Sequence, residues 1–178
     1  MALRAWTEAD LDAYLDLYSR WDVMRWLGRQ PRRALADRDE ARLRLSAWVE
    51  RTESLQPPLG LWALLQQSAG AAAVPIGTVL LLPLTAEDGS STETETEIGW
   101  HLHPDHQGSG LVTEAAAALL AAGATAGLTR VLALTAPDNE RSQAVARRLG
   151  MHDDGLTDSW FGLTTLQFVW HAVAAVKG

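Results

Sequence analysis

The sequence predicts one mixed α/β domain spanning residues 1–178, and three observations carry that prediction. Apolar residues recur at helical spacing in some segments and as extended apolar or alternating runs in others. The segments follow the order β, α, α, α, β, β, β, α, β, α, β, β, so seven strands are interleaved with five helices. No internal repeat, low-complexity stretch or linker divides the chain, and 178 residues at 47% hydrophobic content can bury one substantial core.

Each element has a local reason. A short strand closes at residues 4–6. Thr7 reads as an N-cap, with Asp10 in the place of the Glu or Gln of a full capping box. Leu11, Tyr14, Leu15 and Tyr18 recur at helical spacing, which predicts a helix over 8–19. A second short helix over 23–27 ends at Gly28, and Pro31 follows in an arginine-rich loop. The third helix, 37–53, sets Ala41, Leu45, Trp48 and Val49 on its apolar face. Pro57 and Pro58 end the helical region.

Residues 59–67 read as a strand, and the small, Gly/Ala-rich 68–75 as a hairpin loop. Residues 76–84 form a nearly continuous apolar strand, as expected of a central strand buried on both faces. A polar turn at 86–91 leads into a strand over 93–97, continued at 98–103. Alanines dominate 111–126, predicting a closely packed helix. A short apolar strand at 130–135 precedes a helix over 139–149 that Gly150 stops. Two strands, 152–156 and 160–171, complete the order.

Composition narrows the function. No cysteine is present, which removes disulfides, thiolate nucleophiles and cysteine-type zinc sites. The formal net charge is −7, Lys177 is the only lysine, and the arginines concentrate between Arg20 and Arg51. With no basic stripe, nucleic acid is not an expected partner. No apolar run reaches the roughly 18 residues of a membrane span, and no signal peptide is visible, so a cytoplasmic protein is expected. The acidic balance suits a cationic amine substrate weakly; plain solubility is the simpler account.

Chemistry concentrates between Glu97 and Met151. The loop Pro104-Asp105-His106-Gln107-Gly108-Ser109-Gly110-Leu111-Val112-Thr113 lies between a strand and a helix. Its glycines permit tight turning, and the helix behind it offers unpaired N–H groups, which together suit a pyrophosphate. No Gly-Lys-Ser/Thr follows, so this is not a P-loop, and neither spacing nor position fits a Rossmann fingerprint. Alone, the loop is equally a plain glycine turn.

The wider pattern resembles a family. Gln107-x-x-Gly110-x-Val112 resembles the acetyl-CoA motif of the GNAT acyltransferases, Gln/Arg-x-x-Gly-x-Gly/Ala. Gln107-Gly108-Ser109-Gly110 followed by Thr113-Glu114-Ala115 is similar to the RimJ/RimL-like ribosomal-protein N-acetyltransferase branch. Glu97-Ile98-Gly99 before the loop fits that branch. So do Asn139, Ser142 and Leu149-Gly150-Met151 after it. Val112 departs from the usual small residue, and Ser109 stands where a lysine is common. Arg147 or Arg148 is a candidate to compensate, although a solvated helix face accounts for both.

The resemblance implies a single GNAT-type domain, its mixed and mostly antiparallel central sheet of about seven strands flanked by helices. It also implies acetyl transfer from acetyl-CoA directly to an amine, with no metal. The acceptor would be a protein or peptide α-amine or a small amine. A peptide α-amine, with a pKa of about 7.7–8.0, needs less help to become neutral than a lysine at about 10.4. On this reading Glu97 is the candidate general base; the alternative is a surface glutamate in the run Glu93, Glu95, Glu97. Ser142 is the candidate acid for the departing thiolate. Gln107, Gly108, Ser109, Gly110, Leu111, Val112 and Thr113 would hold the cofactor, joined by Asn139, Ser142 and the main chain at Trp100 and Leu102. Asn139 also reads as an N-cap.

His101, His103 and His106 do not form a metal-ligand pattern; His101 is a secondary candidate base. Trp21, Trp26 and Trp48 read as core, with a place in the acceptor wall as the alternative. Two rival functions stand beside this one: an aminoglycoside-type acetyltransferase, and a non-catalytic acyl-CoA-binding regulatory or interaction module. The tail at 160–170 either supplies a homodimer surface or completes the sheet.

Overall fold

The computed structural model describes residues 1–28, 30–66, 73–85 and 91–172, with Thr85 and 91–94 described in the backbone alone. Seven strands form one sheet: β1 (Ala2–Ala5), β2 (Gly60–Leu65), β3 (Pro75–Thr85), β4 (Ser91–Leu102), β5 (Arg130–Thr135), β6 (His152–Thr157) and β7 (Thr165–His171). Their spatial order is β1-β2-β3-β4-β5-β7-β6. All neighbours are antiparallel except β4 and β5. The helices are α1 (Leu11–Tyr18), α2 (Trp21–Met24), α3 (Arg38–Glu53), α4 (Leu111–Thr125) and α5 (Glu140–Arg148). The parallel pair follows from connectivity: β4 reaches β5 through the crossover helix α4, and only a crossover can return a chain in the same direction.

Two cores hold the sheet between helices. On one face Val79, Leu81 and Ile98 meet Ala115, Ala116, Leu119 and Leu120 of α4. The alanines let α4 lie close to the strands. On the other face Ala63 and Leu65 meet Tyr14, Leu17, Tyr18 and Leu45 of α1 and α3. Each fully buried leucine there stabilises the fold by roughly 1.5–3 kcal/mol. A smaller cluster gathers Leu84, Leu132 and Val169 beneath Trp160 and Phe161.

Local chemistry sets the helix boundaries. Asp37 caps α3 by accepting the N–H groups of Asp39 and Glu40 at 3.0 and 2.9 Å. The Asp10 carboxylate accepts from the Thr7 N–H at 2.9 Å and takes the Arg4 guanidinium at 2.6 and 2.7 Å, tying β1 to the first helical turn. That turn, Glu8–Asp10, is a 3-10 helix, so the expected helix over 8–19 divides there. The second helix begins at Trp21 rather than at residue 23.

The last strand starts at Thr165, not at 160. Phe161 and Gly162 adopt φ of 59° and 64°, and this left-handed turn cannot continue a strand. The β-propensity of Trp160 and Phe161 goes instead into packing over the small cluster. The expected hairpin loop at 68–75 and polar turn at 86–91 lie mainly outside the described residues. No helix among the described residues is long and apolar enough to cross a membrane.

Candidate active site

The register between β4 and β5 is one pair, Glu97 opposite Leu132. Beyond it, Ile98 to Leu102 on one side and Ala133 to Ala136 on the other line a single cleft of about 1910 Å³. The cleft therefore opens at the C-terminal ends of the parallel strands, where open α/β sheets place their ligands. Both strands run on into helices, so α4 and α5 begin at this opening.

The loop before α4 lines one side. Gly108 and Gly110 have φ of 83° and 77°. A Cβ built on either would meet nothing within 4 Å, so backbone conformation rather than crowding calls for glycine, and the space beside the loop is open. Gly110 is the N-cap of α4 and no side chain caps the helix, which leaves first-turn N–H groups unclaimed. Gln107, Gly108, Gly110, Leu111, Val112 and Thr113 all line the cleft. Val112 is 5% exposed, and its bulk is taken up by the α4 core. The Ser109 hydroxyl is donated to the His106 carbonyl at 2.8 Å, and Ser109 does not line the cleft.

A guanidinium does reach this loop, from a residue the sequence reading passed over. Arg141 donates to the Gln107 Oε1 at 2.6 Å. Arg147 lies over the Phe168 ring at 5.6 Å, and Arg148 lines the cleft. The first turn of α5 forms the adjoining wall. Asn139 Oδ1 accepts the Ser142 N–H at 3.2 Å, so Asn139 is a true N-cap. Ser142, at the third helical position, lines the cleft with Asn139.

Strand alternation sorts β4 into two faces. Trp100 and Leu102 pack against the α4 core, and both line the cleft. Glu95, Glu97, Gly99 and His101 occupy the opposite face. Glu95 forms an ion pair with Arg130, the residue that the parallel register sets beside it. Among the described residues Glu97 has no such partner. Its cross-strand neighbours are Leu82 and Leu132, and it lines the cleft. Burial pushes its carboxyl up to about 7, with Arg51 pulling weakly the other way.

Farther along this face the cleft floor is a hydrogen-bonded chain. The Tyr18 Oη lies 2.7 Å from Thr78 Oγ1 and 2.9 Å from His101 Nδ1. Burial lowers His101 to about 4, so its imidazole is neutral near pH 7, and burial raises the Tyr18 phenol. This chain escaped the sequence reading, which counted Tyr18 only in an apolar stripe. The available signal was polarity: a buried phenol and a threonine inside an apolar strand each need a partner.

The three tryptophans divide. Trp48 packs partly buried against Tyr14 and Tyr18 yet also lines the cleft, with its ring 6.3 Å from His101. Trp26 lines the cleft beneath Arg25, whose guanidinium sits 4.3 Å from its ring centre. Trp21 is 54% exposed and lies outside the cleft, which corrects its reading as core. His103 is buried, accepting the Asp105 N–H at 3.3 Å with its Nε2 3.3 Å from Asp16; His106 packs on it edge to face. Among the described residues no group of three or more His, Asp or Glu side chains is placed to hold a metal.

The sheet thus parts at the parallel pair of β4 and β5, with Glu97 at the parting and the N-termini of α4 and α5 beside it. The chain belongs to the GNAT acetyltransferases: residues 1–152 match the model of the Acetyltransferase (GNAT) domain. Solved structures repeat the fold over nearly the whole length. A GNAT-family acetyltransferase from Bacillus anthracis is 19% identical with a TM-score of 0.74, the match covering 95% of this chain and 93% of that one. The ribosomal-protein-S5-alanine acetyltransferase of Vibrio fischeri is 18% identical, TM-score 0.71, covering 95% and 91%. AAC(6')-Ib in complex with ribostamycin and coenzyme A is 20% identical, TM-score 0.71, covering 96% and 92%.

Proposed function

We propose that this protein is an acetyl-CoA-dependent N-acetyltransferase in which Glu97 is the general base and Ser142 the acid. The observation that carries the reading is Glu97 itself: a carboxyl between two leucines, raised to about 7, at the point where β4 and β5 part. A base with a pKa near the working pH is the most effective proton acceptor.

The residues present fit the cofactor. The open space beside Gly108 and Gly110, the uncapped start of α4 and the Arg141 guanidinium suit a pyrophosphate. Each exposed dipole or amide contact of this kind contributes roughly 0.3–1 kcal/mol. Ser109 does not line the cleft and its hydroxyl is engaged with His106, so any part it plays is confined to its main-chain N–H. The main chain at Trp100 and Leu102, with Asn139 opposite, would pair with the pantetheine arm. This supports the assignment of Gln107 to Thr113 to the cofactor.

Bound acetyl-CoA supplies an activated acetyl thioester; a C–N bond forms as its C–S bond breaks. Glu97, directly or through a water, takes the proton that the attacking nitrogen loses. The Ser142 hydroxyl, near the positive end of α5, gives a proton to the departing sulfur. Exchange with water restores both groups. An α-amine near pKa 7.7–8.0 suits a base near 7 better than a lysine does, which supports the RimJ/RimL-like reading of a peptide or small-molecule α-amine.

A thiol-release assay with acetyl-CoA and a panel of peptides, small amines and aminoglycosides tests this. Turnover with at least one amine is expected, and Ser142→Ala should slow it about tenfold or more. Binding of acetyl-CoA with no turnover of any amine would instead favour the non-catalytic acyl-CoA-binding module.

A further inference from the structure

The half of the cleft away from the α4 loop carries an unbalanced positive charge. Arg25, Arg32 and Arg44 line it, with Asp22 and Glu97 as the acidic residues on that side. Elsewhere in the helical region Arg20 pairs with Asp16, Arg38 with Asp12 and Arg42 with Asp39, while Arg51 joins Arg25 and Arg32 in having no ion pair among the described residues. Arg44 shares the single carboxylate of Glu40 with Arg33. Arg25 and Arg32 have no carboxylate partner among the described residues. The chain holds 22 acidic residues against 15 basic ones, so unpaired guanidiniums do not result from a shortage of carboxylates.

Each guanidinium makes a local contact. Arg32 donates from Nη1 to the Arg25 carbonyl at 2.7 Å and from Nε to the Gly28 carbonyl at 3.2 Å, leaving Nη2 uncommitted. Arg25 rests on the Trp26 ring. Farther in, Tyr18 and Trp48 supply an aromatic wall that continues to His101. This part of the cleft lining thus holds the guanidiniums of Arg25 and Arg32, the rings of Tyr18 and Trp48 and the Glu97 carboxylate.

We propose that the acceptor is an amine that also carries a carboxylate, its nitrogen meeting Glu97 and its carboxylate the guanidiniums of Arg25 and Arg32. Guanidinium forks bind carboxylates through paired, charge-assisted hydrogen bonds. A polycation would meet like charge at the same place, which selects against aminoglycosides. The carboxylate can belong to a free amino acid or to an acidic side chain of a peptide. This inference rests on the acetyl-transfer reading above and deepens it.

Two matched acceptor pairs test it in the thiol-release assay: phenylalanine against phenethylamine, and the C-terminally amidated tripeptides Ala-Asp-Phe against Ala-Asn-Phe. A preference of tenfold or more in kcat/KM for the carboxylate member of either pair is expected, and the favoured pair identifies the source. Arg25→Gln and Arg32→Gln should raise KM for that acceptor at least tenfold with kcat within about threefold, and collapse the preference toward one. Retained stabilisation by acetyl-CoA shows that the variants are folded. Equal kcat/KM within both pairs, or an aminoglycoside turned over as fast as the best carboxylate acceptor, would overturn the proposal. If no amine is turned over, ligand-observed NMR with N-acetylphenylalanine and N-acetylphenethylamine decides it separately. Binding of the first alone, lost in Arg25→Gln, supports the carboxylate site although the transfer reading has failed; equal or absent binding rejects it.

Discussion

At the residue scale, the two titrating groups on the cleft face of β4 act on stability with opposite signs. Glu97 is raised from 4.5 to about 7 by burial, so between those values the native state holds a proton that the unfolded chain has released. Its contribution therefore falls as pH rises through that window. His101 is lowered from 6.5 to about 4 by burial, and there the unfolded chain binds the extra proton, so its contribution rises with pH. The two slopes overlap between about pH 4.5 and 6.5 and partly cancel. Glu97→Gln removes only the first. It should raise the melting temperature at pH 8 clearly more than at pH 5, as read by calorimetry; equal shifts at both values would rule out a desolvated carboxylate. The same change should lower kcat about a hundredfold or more and abolish the fall in wild-type rate below pH 7.

At the element scale, two glycines serve the cleft in different ways, and substitution separates them. A Cβ at Gly77 would lie 2.4 Å from the His101 carbonyl oxygen, a backbone atom with no rotamer to relieve the clash. Gly77 is paired with Leu102 at the end of β4, so Gly77→Ala must part the strands at the cleft floor. A loss of about 1–3 kcal/mol in urea denaturation is expected, together with weaker acetyl-CoA binding. Gly110→Ala meets no neighbour, and its cost is the left-handed backbone, about 1–2 kcal/mol. Its larger effect should fall on acetyl-CoA affinity by calorimetric titration, since it reshapes the loop at the start of α4. A Gly110→Ala protein binding acetyl-CoA like the wild type would separate that loop from the cofactor.

At the scale of the whole molecule, the cleft joins both halves of the fold. One wall belongs to α4 and α5, the other to α1, α2 and α3, with β4 and β5 between them. A ligand bound across this opening favours the native state by mass action. At a hundred times its Kd the stabilisation is about 2.7 kcal/mol, which raises Tm by roughly 5–10 °C in a chain of this length. Saturating acetyl-CoA without a shift would count against the cofactor assignment of the entire cleft. With a net charge of −7, the cleft-lining Arg25, Arg32 and Arg44 stand out from an acidic composition.

Much of this was legible in the residues themselves. The order of elements, the central β3 and the alanine-rich α4 follow from short-range rules of periodicity, capping and glycine conformation, whereas the loop from Gln107 to Thr113 stood out through its resemblance to a family motif. The candidacy of Glu97 came from the family resemblance, and strand alternation added only the face on which its side chain lies. Its state did not follow. The pKa near 7 comes from burial, and its cross-strand neighbours Leu82 and Leu132 lie 15 and 35 positions away and meet it only through sheet register. The chain from Thr78 through Tyr18 to His101 spans β3, α1 and β4 for the same reason. Arg141 and Gln107 are separated by 34 positions, and the turn at Phe161 is invisible to propensity because its side chain is satisfied by packing. Local spacing in the sequence determined which residues face which way; the tertiary structure decided which of them meet and which are removed from water, since desolvation and pairing depend on distances that sequence separation does not encode.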